Sequence, residues 1–155
     1  MKIFYPTKNH TLRVVTLMDE QLVAQKLESL RRCIQRVDSK LPDSVETLLT
    51  DLDAQDIVSL NLARAVQMSV DMASQWLAGH SKSTAPKTME EAFEALANSG
   101  TIEPELAVKM RKLVGLRNLI IHNYDDVNWE IVFAICQYHL SDFRAFAKVF
   151  SDLVE

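Results

Sequence analysis

The chain has 155 residues, of which 48% are hydrophobic and 25% are charged, and this composition is typical of one soluble globular domain. The formal net charge of −4, taken alone, argues against a general nucleic-acid binder. We expect no DNA partner. No apolar run approaches the roughly 20 residues that cross a bilayer and no signal-peptide pattern is present, so we expect a cytoplasmic protein that does not bind a membrane.

The first 16 residues have the least regular pattern. Two short β-prone runs, Lys2–Tyr5 and Leu12–Leu17, flank Pro6 and Asn9, and they fit either a hairpin or an extended arm. We therefore treat residues 1–16 as an N-terminal extension of unassigned structure, and residues 17–155 as one helical domain.

Helical periodicity dominates the rest of the chain. Apolar residues at three- and four-residue spacing predict a first helix from about Met18 to Val37 and a second from about Asp53 to Ala78. Opposite its apolar face, the second helix carries a polar stripe of Asn61, Arg64, Met68, Asp71 and Gln75.

Three further helices are indicated by the residues at their ends. Thr88 and Glu91 form a capping-box pattern before a short third helix. Pro104 fits the first position of a fourth helix that runs to about His122. Asn128 is a candidate N-cap for a fifth helix of about 22 residues. About five helices with short connections predict an all-α, up-and-down bundle.

The two cysteines of the chain, Cys33 and Cys136, fall on apolar faces and are expected to be buried free thiols.

The fourth helix contains the one locally basic segment of this acidic chain. Between Leu106 and Tyr124 there are four cations and one histidine but no acid: Lys109, Arg111, Lys112, Arg117 and His122. Chance clustering on an amphipathic helix explains the charges equally well.

Arg117 is an anomaly, because it lies in the middle of an apolar arc made by Leu106, Met110, Leu113, Ile120 and Ile121. An arginine in that position must be buried and paired, or must face a cleft or a partner subunit, since an unpaired buried charge is costly. A core salt bridge, for example to Asp71, is one alternative, and a functional cleft is the other.

His122 lies about 140° around the helix from Arg117, so one rigid helix cannot easily direct both side chains at one phosphate. Either the helix ends so that the ring can turn, or a second subunit completes the site. Asn118 could orient the ring, and Tyr124 lies in the following turn. A simple charge complement to the helix C-terminus is the competing interpretation of His122.

The sequence contains no metal-ligand cluster, glycine-rich phosphate loop or nucleophile motif, so we expect neither a metal nor another cofactor. Metal-independent ribonucleolysis suits the groups that are present. His122 would move a proton on or off the ribose 2′-hydroxyl or the leaving 5′-oxygen. Arg117 would bind the scissile phosphate and offset the charge of the transition state.

Residues 113–127 contain Gly115, Arg117, Asn118, His122 and Tyr124 in a pattern that resembles the ribonuclease HepT-like family of the HEPN superfamily, whose core is Gly-x-Arg-Asn-x3-His-x-Tyr. Residues 61–73 resemble the second helix of that family, and residues 88–96 resemble its short third helix. The likeness covers about residues 17–153. Three matching segments in the same order make it specific.

The resemblance implies a HEPN homodimer in which the two Arg-x4-His motifs meet in a cleft between subunits. It also implies the toxin of a type VII-like toxin–antitoxin pair, an endoribonuclease that cleaves tRNA or mRNA. The partner would be a nucleotidyltransferase of the MntA type, which silences the toxin by transferring AMP to the motif tyrosine, here Tyr124. Arg64 and Asp71 match the family pattern and would line the cleft or support the motif, with an ordinary solvated face as the competing interpretation.

Two features depart from the family pattern: Asn128 stands where an aspartate is frequent, and residues 1–16 extend beyond the usual start. The main functional alternative is a non-catalytic HEPN partner that presents substrate or a modifiable tyrosine to a nucleotidyltransferase. A helical dimerisation module without chemistry is the third possibility.

Overall fold

The computed structural model describes residues 8–80 and 84–155, with side chains from residue 20 onward. These ranges contain seven α-helices, one 3₁₀ turn and no strand. The elements are α1 (Lys8–Lys40), α2 (Val45–Thr50), α3 (Leu52–His80), α4 (Met89–Asn98), α5 (Pro104–His122), the 3₁₀ turn (Tyr124–Asp126), α6 (Trp129–Tyr138) and α7 (Leu140–Val154). The predicted all-α class is confirmed.

The two longest helices, α1 and α3, pack along each other and form the frame of the bundle. Helix α5 packs against α3 and α4, and α7 packs against α1. Four phenylalanines fill the centre without solvent exposure: Phe93, Phe143, Phe146 and Phe150. Burial of such rings dominates the stability of a bundle this size. The arrangement places the end of α5 beside the middle of α3.

The helix ends with explicit signals were predicted correctly. Helix α4 begins after Thr88, whose Oγ1 accepts from the Glu91 backbone N–H at 3.1 Å. The Glu91 carboxylate accepts from the Lys87 N–H, one residue before the cap. Pro104 is the first residue of α5, and the side chain of Asn128 accepts from two backbone N–H groups at the start of α6. Both cysteines are buried and free.

The predicted structure of the N-terminal extension was wrong where the backbone is described. Helix α1 begins at Lys8, ten residues earlier than predicted, so the run Leu12–Leu17 is helical. β-Branched residues cost only a few tenths of a kcal/mol each in a helix, and this is too little to end one. The other β-prone run, residues 2–5, lies outside the described residues.

The predicted fifth helix is two helices, and a short helix was missed. Helix α6 ends where the His139 N–H donates to the Ile135 carbonyl, and α7 begins where the Asp142 N–H donates to the His139 carbonyl. The apolar stripe continues across this break, so periodicity gave no sign of it. Helix α2 has only six residues, of which Leu48 alone is buried, and it is too short for a periodic pattern.

Candidate active site

Arg117 projects from α5 towards α3 and is half-buried. One guanidinium nitrogen donates to the side-chain oxygen of Asn118 at 3.1 Å. The other terminal nitrogen donates to the side-chain oxygen of Gln67 on α3 at 3.4 Å. The two amides fix the direction of the guanidinium without neutralising its charge.

The amide of Gln67 stands between Arg117 and Asp71. Its nitrogen donates to one Asp71 oxygen at 2.9 Å, and the other Asp71 oxygen lies 3.4 Å from Lys26 Nζ. Among the described residues, no carboxylate lies within 4.0 Å of Arg117. The sequence alternative of a direct Arg117–Asp71 salt bridge is therefore wrong, because Lys26 holds that carboxylate instead.

This arrangement leaves Arg117 able to bind an anion. A guanidinium has five N–H donors, and two hydrogen bonds are made here. The remaining donors can accommodate a phosphate in the two-point geometry that arginine favours. The positive charge stays uncompensated and half-shielded from water, which strengthens its effect on a bound phosphate.

His122 is the last residue of α5 and is exposed. No hydrogen bond to its ring is found among the side chains described from residue 20 onward. The sequence suggested Asn118 as a partner for the ring, but the structure gives the oxygen of Asn118 to Arg117. Because α5 stays helical through His122, the separation of about 140° from Arg117 holds within one chain.

Tyr124 lies in the 3₁₀ turn just after α5, and its hydroxyl contacts the first half of α3. The hydroxyl donates to Asp56 Oδ1 at 2.7 Å and accepts from Ser59 Oγ at 3.3 Å. The ring packs edge-on against Trp129 with 5.6 Å between centroids. The side chain is half-buried, so a partner enzyme would have to draw the phenol away from α3 or approach it there.

Burial raises the pKa of Tyr124, the Ser59 hydrogen bond lowers it, and the neighbouring Asp56 carboxylate raises it again. The net direction is upward, so the phenol is neutral at physiological pH. A reaction at this oxygen therefore needs a proton acceptor, and Asp56 already accepts the hydroxyl proton as a hydrogen bond.

Arg64 lies outside the network of Arg117. It is exposed and lines a groove between α1 and α3, together with Arg32 and Arg36. Asp71 is connected to Arg117 through Gln67, as described above. The structure thus joins Arg117, Asn118 and Asp71 and leaves Arg64, His122 and Tyr124 apart from them within one chain.

Four residues of these networks were missed in the sequence: Lys26, Asp56, Ser59 and Gln67. Gln67 precedes Asp71 by four residues on one helix, a spacing that favours a Gln–Asp hydrogen bond and could have indicated it. Asp56 and Ser59 lie more than 60 residues before Tyr124, and no sequence pattern connects them to it.

Residues 8–80 and 84–155 contain neither a membrane-spanning helix nor a candidate metal site. No helix there is long and apolar enough to span a membrane. No group of three or more His, Cys, Asp or Glu side chains there is arranged to hold a metal ion.

Comparison with known proteins is consistent across sequence and structure. Residues 30–150 match the family model described as Ribonuclease HepT-like. The chain is 31% identical over 128 residues to the mRNA nuclease HepT of Shewanella oneidensis, covering 83% of this chain and 95% of that protein. It is 25% identical over 134 residues to the tRNA nuclease HepT of Aphanizomenon flos-aquae, covering 86% and 90% respectively.

Among solved structures, the fold is similar to that of a tri-AMPylated Shewanella oneidensis HEPN toxin in complex with MNT antitoxin. The TM-score is 0.79 at 30% sequence identity, and the likeness covers 84% of this chain and 97% of the other.

Proposed function

Because the chain belongs to the ribonuclease HepT-like family, we propose that it is a metal-independent endoribonuclease that cleaves tRNA or mRNA, the toxin of a HEPN/MNT toxin–antitoxin pair. The observation that carries the proposal is Arg117, a half-buried guanidinium held by two amides and by no carboxylate of the described residues. A cation kept in this state has little structural purpose and is suited to a phosphate.

Arg117 and His122 have separate roles in the proposed reaction. Arg117 binds a non-bridging oxygen of the scissile phosphate and offsets the charge gained in the transition state. His122 accepts the proton of the ribose 2′-hydroxyl or donates one to the leaving 5′-oxygen, because an imidazole can both accept and donate a proton. The 2′-oxygen attacks phosphorus and the 5′-oxygen leaves, which gives a 2′,3′-cyclic phosphate and a 5′-hydroxyl.

The site is completed by a second copy of the chain. Arg117 and His122 point about 140° apart on one helix, so a twofold dimer that brings two α5 ends together lets one chain supply the arginine and the other the histidine. Asp71 and Gln67 act as positioning residues that keep the guanidinium oriented.

Tyr124 is the control point of this site. Its oxygen attacks the α-phosphorus of ATP, the bond to the β-phosphate breaks, pyrophosphate leaves, and the phenolic proton passes to a base, for which Asp56 is the nearest acceptor. The enzyme for this step is the partner nucleotidyltransferase of the MntA type. Each added AMP places a negative charge close to Arg117 and His122, and this repels the substrate phosphate. Two buried free thiols suit the cytoplasm, where we place this reaction.

The decisive experiment incubates purified protein with total tRNA and with mRNA in EDTA. We expect cleavage by the wild type and none by Arg117→Ala or His122→Ala. Two matched controls should cleave normally. Arg111→Ala removes an arginine of the same helix that pairs with Glu94 at 2.9 Å, and His139→Ala removes an exposed histidine at another helix end.

An intact RNA pool after incubation with unmodified wild type would refute the ribonuclease. If Tyr124 then still accepted AMP from the partner enzyme, the chain would be a non-catalytic HEPN partner. Mass spectrometry that locates the AMP adduct on another residue would refute the role of Tyr124.

A further inference from the structure

A groove of about 590 Å³ lies between α1 and α3, and three exposed arginines line it. Arg32 and Arg36 come from α1, and Arg64 comes from α3. Ser29 and Asn61 add a hydroxyl and an amide to the same groove. The groove concentrates positive charge in a chain whose formal net charge is −4.

The three arginines of the groove are not compensated. Within the part of the chain that the structure describes, no carboxylate lies within 4.0 Å of Arg32, Arg36 or Arg64. The cleft between α1 and α7 is different, because its arginines are paired: Arg31 binds Glu155 at 2.8 Å and Arg144 binds Asp38. Helix α1 therefore carries a paired arginine, Arg31, on the side facing α7. Its arginines on the side facing α3, Arg32 and Arg36, keep their charge available.

The groove lies about one helical turn along α3 from the network of Arg117. Arg64 precedes Gln67 by three residues, so the two are neighbours on the surface of α3, and Gln67 contacts Arg117. Lys26 pairs with Asp71 while Arg36 shares the groove with Asn61, so α1 and α3 run in opposite directions. Arg32 and Arg36 stand about 6 Å apart along the α1 axis. The cations thus extend away from Arg117 along the α1–α3 seam.

We propose that this groove binds the phosphate backbone of the RNA substrate next to the scissile bond. The inference rests on the proposed ribonuclease function. An acidic protein repels RNA over most of its surface, so productive binding needs a local track of cations. Arginine recognises phosphate by two parallel hydrogen bonds and needs no base-specific contact, so the groove positions RNA without reading its sequence.

The test measures RNA binding in a His122→Ala background, which prevents cleavage, with a fluorescent RNA oligonucleotide and a series of salt concentrations. The triple variant Arg32→Gln, Arg36→Gln, Arg64→Gln should raise Kd about tenfold or more, and the salt slope should fall by about 0.7 for each lost phosphate contact. Lysine at the same three positions should restore most of the slope. Arg31→Gln and Arg144→Gln, the paired arginines, should leave Kd within about twofold.

Cleavage assays with the active protein distinguish the groove proposal from the ribonuclease proposal on which it rests. The groove variants should raise KM for long RNA and leave kcat unchanged, with thermal unfolding showing that they fold. Unchanged RNA binding by the folded triple variant overturns the groove proposal even if the wild type cleaves RNA. Salt-dependent binding that the groove variants lose, without cleavage by the wild type, supports the groove and refutes the ribonuclease. If the triple variant binds RNA normally but no longer binds the nucleotidyltransferase, the groove is a protein interface and the proposal is overturned.

Discussion

Gln67 is the α3 residue that hydrogen-bonds the guanidinium of Arg117, so its own charge decides whether that guanidinium is neutralised. Its neutral amide holds the guanidinium at 3.4 Å and leaves the positive charge available. The substitution Gln67→Glu puts a carboxylate of nearly the same shape in that place. We expect it to pair with Arg117, to repel the substrate phosphate and to lower kcat/KM about tenfold below that of Gln67→Ala. Both variants lose the hydrogen bond to Asp71, whereas only Gln67→Glu adds a charge beside Arg117.

Steady-state cleavage of one RNA by the two variants measures this effect. Equal rates for Gln67→Glu and Gln67→Ala would show that the charge of Arg117 is not used, and would leave Gln67 as a packing residue. The unfolding midpoint in urea serves as the check that both proteins are folded.

Besides the control role proposed for Tyr124, its hydroxyl contributes to stability. The variant Tyr124→Phe loses the hydrogen bonds to Asp56 and Ser59 and keeps the contact of the ring with Trp129. We expect a loss of about 1 kcal/mol in the free energy of unfolding, retained RNA cleavage and no AMP transfer at this position. The matched control is Tyr138→Phe, because Tyr138 is 71% exposed and should be neutral. An equal loss of stability in both variants would contradict the role of the Asp56 contact.

The raised pKa of Tyr124 predicts how stability changes in alkaline solution. Burial raises the pKa in the folded protein above the value of about 10 in the unfolded chain. The folded state therefore keeps the Tyr124 proton to a higher pH than the unfolded state does. The resulting contribution to the free energy of unfolding is complete below pH 10 and is lost as the pH rises through the folded pKa. Urea titrations between pH 8 and 11 should show a steeper decline for the wild type than for Tyr124→Phe. Parallel curves would rule out a raised pKa.

At the residue scale, the sequence predicted the exposure of single side chains better than their contacts with distant residues. The position of Arg117 within an apolar arc predicted a side chain with restricted exposure, and it is half-buried. Ile121, placed in the same arc, is 50% exposed instead. The partners of Tyr124 depend on how α3 packs beside the turn after α5, and such a contact has no local signal in the sequence.

At the scale of secondary-structure elements, the cap of α6 lies two residues after the turn that carries Tyr124. The side-chain oxygen of Asn128 accepts from the N–H groups of Glu130 and Ile131 at 3.0 and 3.1 Å. We expect Asn128→Ala to cost about 1 kcal/mol, whereas Asn128→Asp keeps the cap and adds a favourable charge at a helix N-terminus. Urea unfolding of the two variants decides this. A loss of the same size in Asn128→Asp would show that the amide nitrogen, rather than the oxygen, is needed.

Helices in which an end signal precedes a long periodic segment could be predicted, whereas a very short helix and a break within a periodic segment could not. Thr88, Pro104 and Asn128 each act through a local backbone interaction, so the sequence specifies where α4, α5 and α6 begin. No glycine or proline marks the break at His139, after which α7 packs on α1 and α5. Helix α2 has an end signal, because Ser44 Oγ accepts from the Thr47 N–H at 3.2 Å, but its six residues are too few for a periodic pattern. Gln55 also donates to the Leu48 carbonyl at 2.8 Å, a contact across seven residues.

At the scale of the whole molecule, Arg117 and His122 lie on different sides of the single chain. Arg117 faces α3, whereas His122 ends α5 in solvent with a half-exposed Ile121 beside it. An exposed aliphatic residue next to an exposed histidine is suited to contact with a second copy. A twofold axis near the end of α5 would cover Ile121 and give His122 an arginine from the other chain.

Mixed dimers test this arrangement because each inactive variant keeps the residue that the other lacks. In a dimer of one Arg117→Ala chain and one His122→Ala chain, one of the two composite sites has lost both groups and the other has both. Random exchange of subunits should therefore restore about one quarter of the wild-type rate. If arginine and histidine acted within the same chain, every site would lack one group and the mixture would stay inactive. Differently tagged subunits establish that mixed dimers have formed, and the rate is measured on one RNA before and after mixing.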